Sequence, residues 1–165
     1  MRTIRVVIGD DDRAFREAAS DVLEADPRFT VVEAVATGAE LRELAARTRP
    51  DVALVDVRMP EGGPPAVRAL LADDLAAATA EDHTALVVVA VSAHTGVFQV
   101  RAMLSAGASG YLAKGRIGGA LPDLVHRCVA GEVVLAVPTG ARVLDQLQAP
   151  TETPPEPIGG PADGA

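Results

Sequence analysis

Apolar runs of strand length alternate with amphipathic helical patterns along most of the chain. The strand-like runs are residues 4–8, 30–35, 52–55, 86–91 and 110–112. Apolar positions at helical spacing, with Pro and Gly at the ends, predict helices over 13–24, 38–47, 64–79, 97–106 and from Pro122 to just before Gly131. Five strand-then-helix units require right-handed crossovers and a parallel sheet covered on both faces. We therefore predict an α/β fold with a doubly wound, five-stranded parallel sheet.

The pattern changes after Gly131. The segment EVVLAVP leads to a predicted short helix over 139–148, and residues 149–165 contain five Pro and three Gly. Such a composition is typical of a linker or tail without a packed core. We expect a main domain at 1–131, an extension with a short helix at 132–148, and a disordered Pro/Gly-rich linker or tail at 149–165.

Composition removes several classes of function. A formal net charge of −8 repels phosphate backbones, and an aromatic content of 2% leaves few rings for stacking bases. Cys128 is the single cysteine and cannot form an internal disulfide. The sequence shows no signal peptide and no apolar run of membrane-spanning length. These features predict a cytoplasmic protein that does not insert into a membrane.

Polar side chains follow the predicted strands at the points where those strands end. In a doubly wound sheet, ligands bind at the carboxyl ends of the strands. The residues at these positions are Asp10, Asp11, Asp12, Asp56, Ser92 and Lys114. Converging carboxylates repel one another unless a cation neutralises them, and hard oxygen ligands suit Mg²⁺. A hydroxyl and an ammonium beside the metal are suited to holding oxygens of a phosphoryl group.

Some of these residues also have a purely structural interpretation. Asp12 precedes the first helix and is a typical N-cap, and Ser92 could be a cap or turn residue. Asp56 is harder to explain structurally, because it leaves a carboxylate at the end of a buried strand. Lys114 is the only lysine among 15 basic residues, which indicates a site that needs a compact point charge. His83 and His94 lack partners at metal-ligand spacing and are interpreted as surface or loop residues.

Longer motifs connect these positions. They read VVIGDDDRAFR, PDVALVDVRMP, VVAVSA, AGASGYLAK and VAGEVVLAVP. With them, residues 1–148 resemble the receiver domain of two-component response regulators, most closely the LuxR/NarL-type receivers. The resemblance implies a flavodoxin-like (βα)5 fold, with the receiver domain at 1–131. It also implies a phosphoacceptor signalling domain, not an enzyme in the ordinary sense, which catalyses its own phosphoryl transfer and slow autodephosphorylation.

The resemblance assigns roles to residues at matching positions. Asp56 becomes the phosphoacceptor, while Asp10, Asp11, Asp56 and the Arg58 backbone carbonyl become ligands of Mg²⁺. The catalytic set then consists of Asp56, Ser92 and Lys114, with Ser92 and Lys114 contacting the phosphoryl group. Ser92 and Tyr111 become the switch residues that report phosphorylation.

The resemblance also implies partners. A sensor histidine kinase would supply the phosphoryl group, and phosphorylation would promote a homodimer through the fourth helix, fifth strand and fifth helix. DNA would be contacted only through an output domain outside these residues, for transcription regulation. Two alternatives stay open: a haloacid-dehalogenase-like phosphatase, suggested by Asp10-x-Asp12, Ser92 and Lys114, and a pseudo-receiver that binds partners without being phosphorylated. The loop EGGPPAV after Pro60 departs from the usual family pattern, and so does Gly115 after the lysine.

Overall fold

A computed structural model describes residues 2–78, 83–138 and 140–148 of the chain. Its strands are β1 Ile4–Gly9, β2 Phe29–Val35, β3 Val52–Asp56, β4 Val87–Ser92, β5 Gly110–Ala113 and β6 Val134–Ala136. Its helices are α1 Arg13–Glu24, α2 Gly38–Thr48, α3 Gly63–Ala77, α4 Val97–Ser105, α5 Lys114–Ile117, α6 Leu121–Val129 and α7 Gly140–Gln148. A 3₁₀ turn spans Gly118–Ala120. The predicted linker at 149–165 lies outside the described residues.

All strand pairs are parallel, in the order β2-β1-β3-β4-β5-β6. The predicted doubly wound α/β class is confirmed, but the strand count of five was wrong. A sixth strand pairs with β5 in the register Gly110 with Val134 and Leu112 with Ala136. The apolar residues after Gly131 were too few to predict a strand alone, and pairing to an existing edge supplies the missing hydrogen bonds.

Helices cover both faces of the sheet. β3 is buried along its whole length, and its side chains alternate between two apolar clusters, as the two-residue period of a strand requires. One cluster packs α2, α3, α4 and α7 against the sheet, and the other packs α1, α5 and α6 against the opposite face. The predicted fifth helix corresponds to α6, while the short α5 before it was not predicted.

The loop after β3 packs tightly against the start of α2. Gly38 N–H donates to the Pro60 carbonyl at 2.8 Å, and a Cβ on Gly38 would lie 1.7 Å from the backbone oxygen of Glu61. Only glycine therefore fits at position 38. This contact fixes the loop that follows Asp56, at the edge of the sheet where the polar residues were predicted to gather.

Within the described ranges, no helix combines the length and the apolar character needed to cross a membrane.

Candidate functional site

Three carboxylates meet at the carboxyl edge of the central strands. Asp10 directly follows β1, Asp56 ends β3, and these strands pair side by side. Ligand oxygens of Asp10, Asp11 and Asp56 all lie within 4.8 Å of one another. Asp10 and Asp56 are buried, whereas Asp11 is exposed. Of the three carboxylates, Asp11 is therefore the one that faces solvent.

The two oxygens of Asp10 have different surroundings. Oδ1 accepts a hydrogen bond from Asp12 N–H at 2.9 Å. Oδ2 is buried and forms an ion pair with Lys114 Nζ at 2.6 Å, and it accepts no further hydrogen bond from the described residues. The guanidinium of Arg16 donates to the Asp10 backbone carbonyl at 2.7 Å and holds the loop in place. Asp10 Oδ2 is thus a buried acceptor with spare capacity for a cation.

Asp56 carries the clearest electrostatic signature of the site. Burial, the largest cause, and the charge of Asp10 together raise the pKa of Asp56 from 3.8 to about 6, against the opposing charge of Lys114. Such a carboxylate is costly to ionise, because it loses water and faces another negative charge. A divalent cation with oxygen ligands would remove that cost. The three carboxylates, including a buried Asp10 oxygen whose one cationic contact among the described residues is Lys114, therefore fit Mg²⁺.

Lys114 supplies positive charge to the cluster from the end of β5, which is separated from β3 by β4. It follows β5 directly and begins α5, with 16% of its side chain exposed. Its Nζ lies 3.6 Å from Asp56 Oδ1, a longer distance than the 2.6 Å to Asp10. It also lies 4.5 Å from the centroid of the Phe15 ring.

Ser92 and Tyr111 are linked through the backbone of His94. Ser92 ends β4 and is fully buried, and its Oγ accepts the His94 N–H at 3.0 Å. Tyr111, also fully buried, donates its hydroxyl to the His94 carbonyl at 2.5 Å. Burial raises the pKa of Tyr111, so the phenol stays a donor. The loop after β4 is therefore held at His94 by two hydroxyls, one on the backbone N–H and one on the backbone carbonyl of this residue.

The structure separates other sequence-predicted residues from the cluster. Asp12 accepts hydrogen bonds from Ala14 N–H and Phe15 N–H and so caps α1, which is its structural interpretation. Of the Asp10-x-Asp12 pair that suggested a phosphatase, only Asp10 belongs to the cluster of three carboxylates in the described part of the chain. Arg58 is exposed in the loop after β3. The role of its carbonyl as a ligand remains a prediction.

The histidines and the cysteine form no second site in the described part of the chain. His83 Nε2 lies 3.2 Å from Asp74 Oδ2, at the other end of β4 from Ser92. Cys128 is buried, and burial raises its pKa to about 11, which keeps the thiol protonated. His126 is exposed. A reactive Cys/His pair is excluded on these grounds.

Sequence reasoning missed three contributors to the site: Phe15, Arg16 and the His94 backbone. The helical spacing of residues 13–24 placed Phe15 on the packed face of α1, but gave no sign of its contact with Lys114. The part played by His94 uses only its peptide group, which the identity of a side chain cannot reveal.

Comparison with known proteins identifies the family. Residues 6–125 match the family model of the response regulator receiver domain, so the chain belongs to this family. It is 34% identical over 129 residues to the transcriptional regulatory protein DegU of Brevibacillus brevis, covering 78% of this chain and 51% of DegU. It is 33% identical over 133 residues to the probable transcriptional regulatory protein NarL of Mycobacterium tuberculosis, covering 81% of this chain and 58% of that protein. The chain thus spans a little over half the length of these relatives.

Solved structures of response regulators have the same fold as this chain. A two-component response regulator of the LuxR family from Aurantimonas sp. SI85-9A1 superposes with a TM-score of 0.75 at 26% identity, covering 88% of this chain and 98% of that one. The signal receiver domain of NarL from Mycobacterium tuberculosis superposes with a TM-score of 0.71 at 31% identity, covering 80% of this chain and 100% of that one. The predicted LuxR/NarL-type receiver is confirmed. Receiver domains bind Mg²⁺ at an acidic cluster, and Asp10, Asp11 and Asp56 form such a cluster here.

Proposed function

We propose that this receiver domain accepts a phosphoryl group on Asp56 from a sensor histidine kinase and transmits that event through the loop after β4 and through β5. One observation carries the proposal. Three carboxylates converge within 4.8 Å at the carboxyl edge of the sheet, and the ammonium of the only lysine lies 2.6 Å from Asp10 and 3.6 Å from Asp56. This arrangement combines a nucleophile with cationic groups suited to phosphoryl oxygens.

The transfer step is an in-line displacement at phosphorus. An Asp56 Oδ attacks the phosphorus of a phosphohistidine or of a small donor such as acetyl phosphate. A P–O bond to Asp56 forms as the P–N or P–O bond of the donor breaks, and the leaving imidazole or acetate takes the electron pair. Later attack by water on the same phosphorus releases inorganic phosphate and restores the carboxylate. Turnover therefore consumes one donor per phosphorylation event.

Each residue at the edge has a task in this step. Lys114 is placed to pair with a phosphoryl oxygen, and Ser92 to donate its hydroxyl to another. Asp10, Asp11, Asp56 and the Arg58 carbonyl would hold Mg²⁺. When bound, Mg²⁺ would neutralise the carboxylates and stabilise the charge on the third phosphoryl oxygen. The closeness of the Asp10, Asp11 and Asp56 oxygens, all within 4.8 Å of one another, supports this assignment.

The contacts of Ser92 suggest how phosphorylation would be read. Its Oγ now accepts from His94 N–H, and His94 C=O accepts from Tyr111. If Ser92 turns its hydroxyl to the phosphoryl group, the peptide at His94 loses part of its support and the loop can shift. Tyr111 would respond because its hydroxyl is bonded to the backbone carbonyl of the same residue, His94. A population shift from mostly off to mostly on requires roughly 5 kcal/mol, which a few charge-assisted hydrogen bonds can supply.

The output of the switch would be a change in how the receiver contacts its partners. Receiver domains interact with histidine kinases and often dimerise. We expect a homodimer on phosphorylation through α4, β5 and α6, because the loop after Ser92 leads into α4 and Tyr111 lies on β5. β6 pairs with the outer side of β5 and α7 contacts α4, so the extension 132–148 borders this surface of the 1–131 receiver. Because relatives are transcriptional regulators, we propose that an output domain beyond a 149–165 linker contacts DNA.

Intact mass spectrometry tests the phosphoacceptor directly. The protein is incubated with Mg²⁺ and acetyl phosphate, with parallel samples containing EDTA. The wild type and an Asp21→Asn control, which changes an exposed carboxylate on α1, should each gain one phosphoryl group. Asp56→Asn and the EDTA samples should gain none.

The alternatives give different results in the same experiment. A folded protein that gains no phosphoryl group would be a pseudo-receiver and would contradict the proposal. Continuous release of phosphate from a generic phosphomonoester would instead support a phosphatase. Light scattering of the phosphorylated sample tests the dimer: an unchanged molar mass would refute that part of the proposal alone.

A further inference from the structure

The surroundings of the Lys114 ammonium include a group that the phosphoryl chemistry does not use. Nζ contacts Asp10 at 2.6 Å and Asp56 at 3.6 Å, and it lies over the face of Phe15 at 4.5 Å from the ring centroid. A cation within about 6 Å of an aromatic centroid is attracted by the negative face of the ring. Two carboxylates and one aromatic face thus surround the ammonium.

Phe15 is held by contacts that do not involve Lys114. It lies in the first turn of α1, where its N–H donates to the capping carboxylate of Asp12 at 3.3 Å. Its half-buried ring packs against the apolar cluster under α1 and α6. The ring is therefore a fixed surface, whereas the lysine stem has four rotatable methylene groups.

We propose that Phe15 is a positioning residue, whose ring face holds the Lys114 ammonium beside the phosphoacceptor site. The inference rests on the proposed function, because it assigns to Phe15 a part in the same phosphoryl transfer. Phe15 acts through Lys114 and does not touch the reacting atoms.

The ring is suited to this task because it attracts the ammonium without competing for its N–H donors as strongly as a third carboxylate would. In the unphosphorylated protein the ammonium leans toward Asp10. To contact a phosphoryl group on Asp56 it has to shift toward the longer of its two ion pairs. A ring that keeps it from turning to solvent reduces the ordering cost of that shift.

The first test observes the contact in the resting protein. Because Lys114 is the only lysine, protein labelled with ¹³C,¹⁵N-lysine gives a single lysine side-chain spin system. The Hε protons should be shifted upfield by the ring current of Phe15. The shift should disappear in Phe15→Leu and return in Phe15→Tyr, which keeps an aromatic face. Phe29→Leu is the control, since it removes a more deeply buried ring from β2, with at least as large a loss of packing, and should leave the lysine signal unchanged.

The second test measures the rate of phosphorylation by acetyl phosphate with Mg²⁺. Phe15→Leu should slow it about threefold to tenfold, the range expected for a partly desolvated cation–π contact, and Phe15→Tyr should restore it. Phe29→Leu should react at the wild-type rate. In a Lys114→Met background, Phe15→Leu should have no further effect, because the group it positions is gone.

The outcomes separate the two proposals. An absent upfield shift in the folded wild type, or a Phe15→Leu rate equal to that of the wild type, overturns the role of Phe15. A slowing of equal size in the Lys114→Met background also overturns it, since Phe15 would then act only on stability. If the wild type takes no phosphoryl group, the proposed function fails, and the ring-current shift alone decides whether Phe15 holds Lys114.

Discussion

Replacing Asp56 by Asn should stabilise the metal-free protein, because it removes a charge that the folded state accommodates badly. Asp56 is 4% exposed, and burial and the neighbouring Asp10 charge raise its pKa from 3.8 to about 6. Asn keeps the shape of the side chain and removes the negative charge. The variant that should abolish phosphorylation should therefore unfold at higher denaturant concentration than the wild type.

The size of the effect follows from linkage between ionisation and folding. At about 1.4 kcal/mol per pH unit, the rise in the pKa of Asp56 corresponds to about 3 kcal/mol. Burying an amide without all of its hydrogen bonds costs about 1 kcal/mol, so the expected net stabilisation by Asp56→Asn is about 2 kcal/mol. The cost of the charge is fully present above the folded pKa of about 6, because Asp56 is then ionised in both states. It vanishes below 3.8, where Asp56 is protonated in both states.

Urea unfolding at several pH values in EDTA measures this difference, with a control at an exposed carboxylate. Asp21→Asn on α1 should change the free energy of unfolding by less than about 0.5 kcal/mol at every pH. The advantage of Asp56→Asn should be largest at pH 8 and should be lost by pH 3.5. Added Mg²⁺ should reduce it, because saturating a site a hundredfold above its dissociation constant stabilises the wild type by about 2.7 kcal/mol. Equal stability of Asp56→Asn and wild type at pH 8 in EDTA would refute the reasoning.

Three further predictions concern packing. Gly38→Ala should lower the free energy of unfolding in urea by about 1–3 kcal/mol, because the added Cβ would lie 1.7 Å from a backbone oxygen. Gly115→Ala is the control and should change it little, because a Cβ there has no atom within 4 Å; similar losses of stability in the two variants would contradict the close contact at Gly38. Cys128 should react with a thiol reagent at pH 8 only as fast as the protein opens, because its thiol is buried and, with a pKa of about 11, only about one in a thousand molecules carries the thiolate. Fast labelling of the native protein would contradict the burial of Cys128. Leu54→Ala in β3 should cost about 2–5 kcal/mol at an unchanged urea m-value, and a cost under 1 kcal/mol would show that the core collapses around the gap.

The parts of the fold that depend on periodic patterns were predictable from the sequence. Strand ends in a doubly wound sheet converge, so Asp10 and Asp56 could be placed together without coordinates. The third strand is a continuous apolar run because both of its faces are buried. A carboxylate at the end of such a run has no packing role there, so Asp56 stood out as a functional residue.

Other features depend on pairing and packing that no local pattern encodes. β6 has three residues and becomes a strand only because β5 offers a free side. The hydrogen bonds of Ser92 and Tyr111 meet at the backbone N–H and carbonyl of His94, so the identity of its side chain gave no signal. The contact between Phe15 and Lys114 requires the angle at which α1 packs on the sheet, which its amphipathic spacing leaves undetermined.

The most direct test of the central claim is to locate the phosphoryl group. Protein phosphorylated with acetyl phosphate and Mg²⁺ is reduced with borohydride, which converts an acyl phosphate of Asp into homoserine, and is then digested and sequenced by mass spectrometry. The account predicts homoserine at position 56 and unmodified Asp10, Asp11 and Asp12. Homoserine at any of those three positions, or at none while the protein is folded, would contradict it.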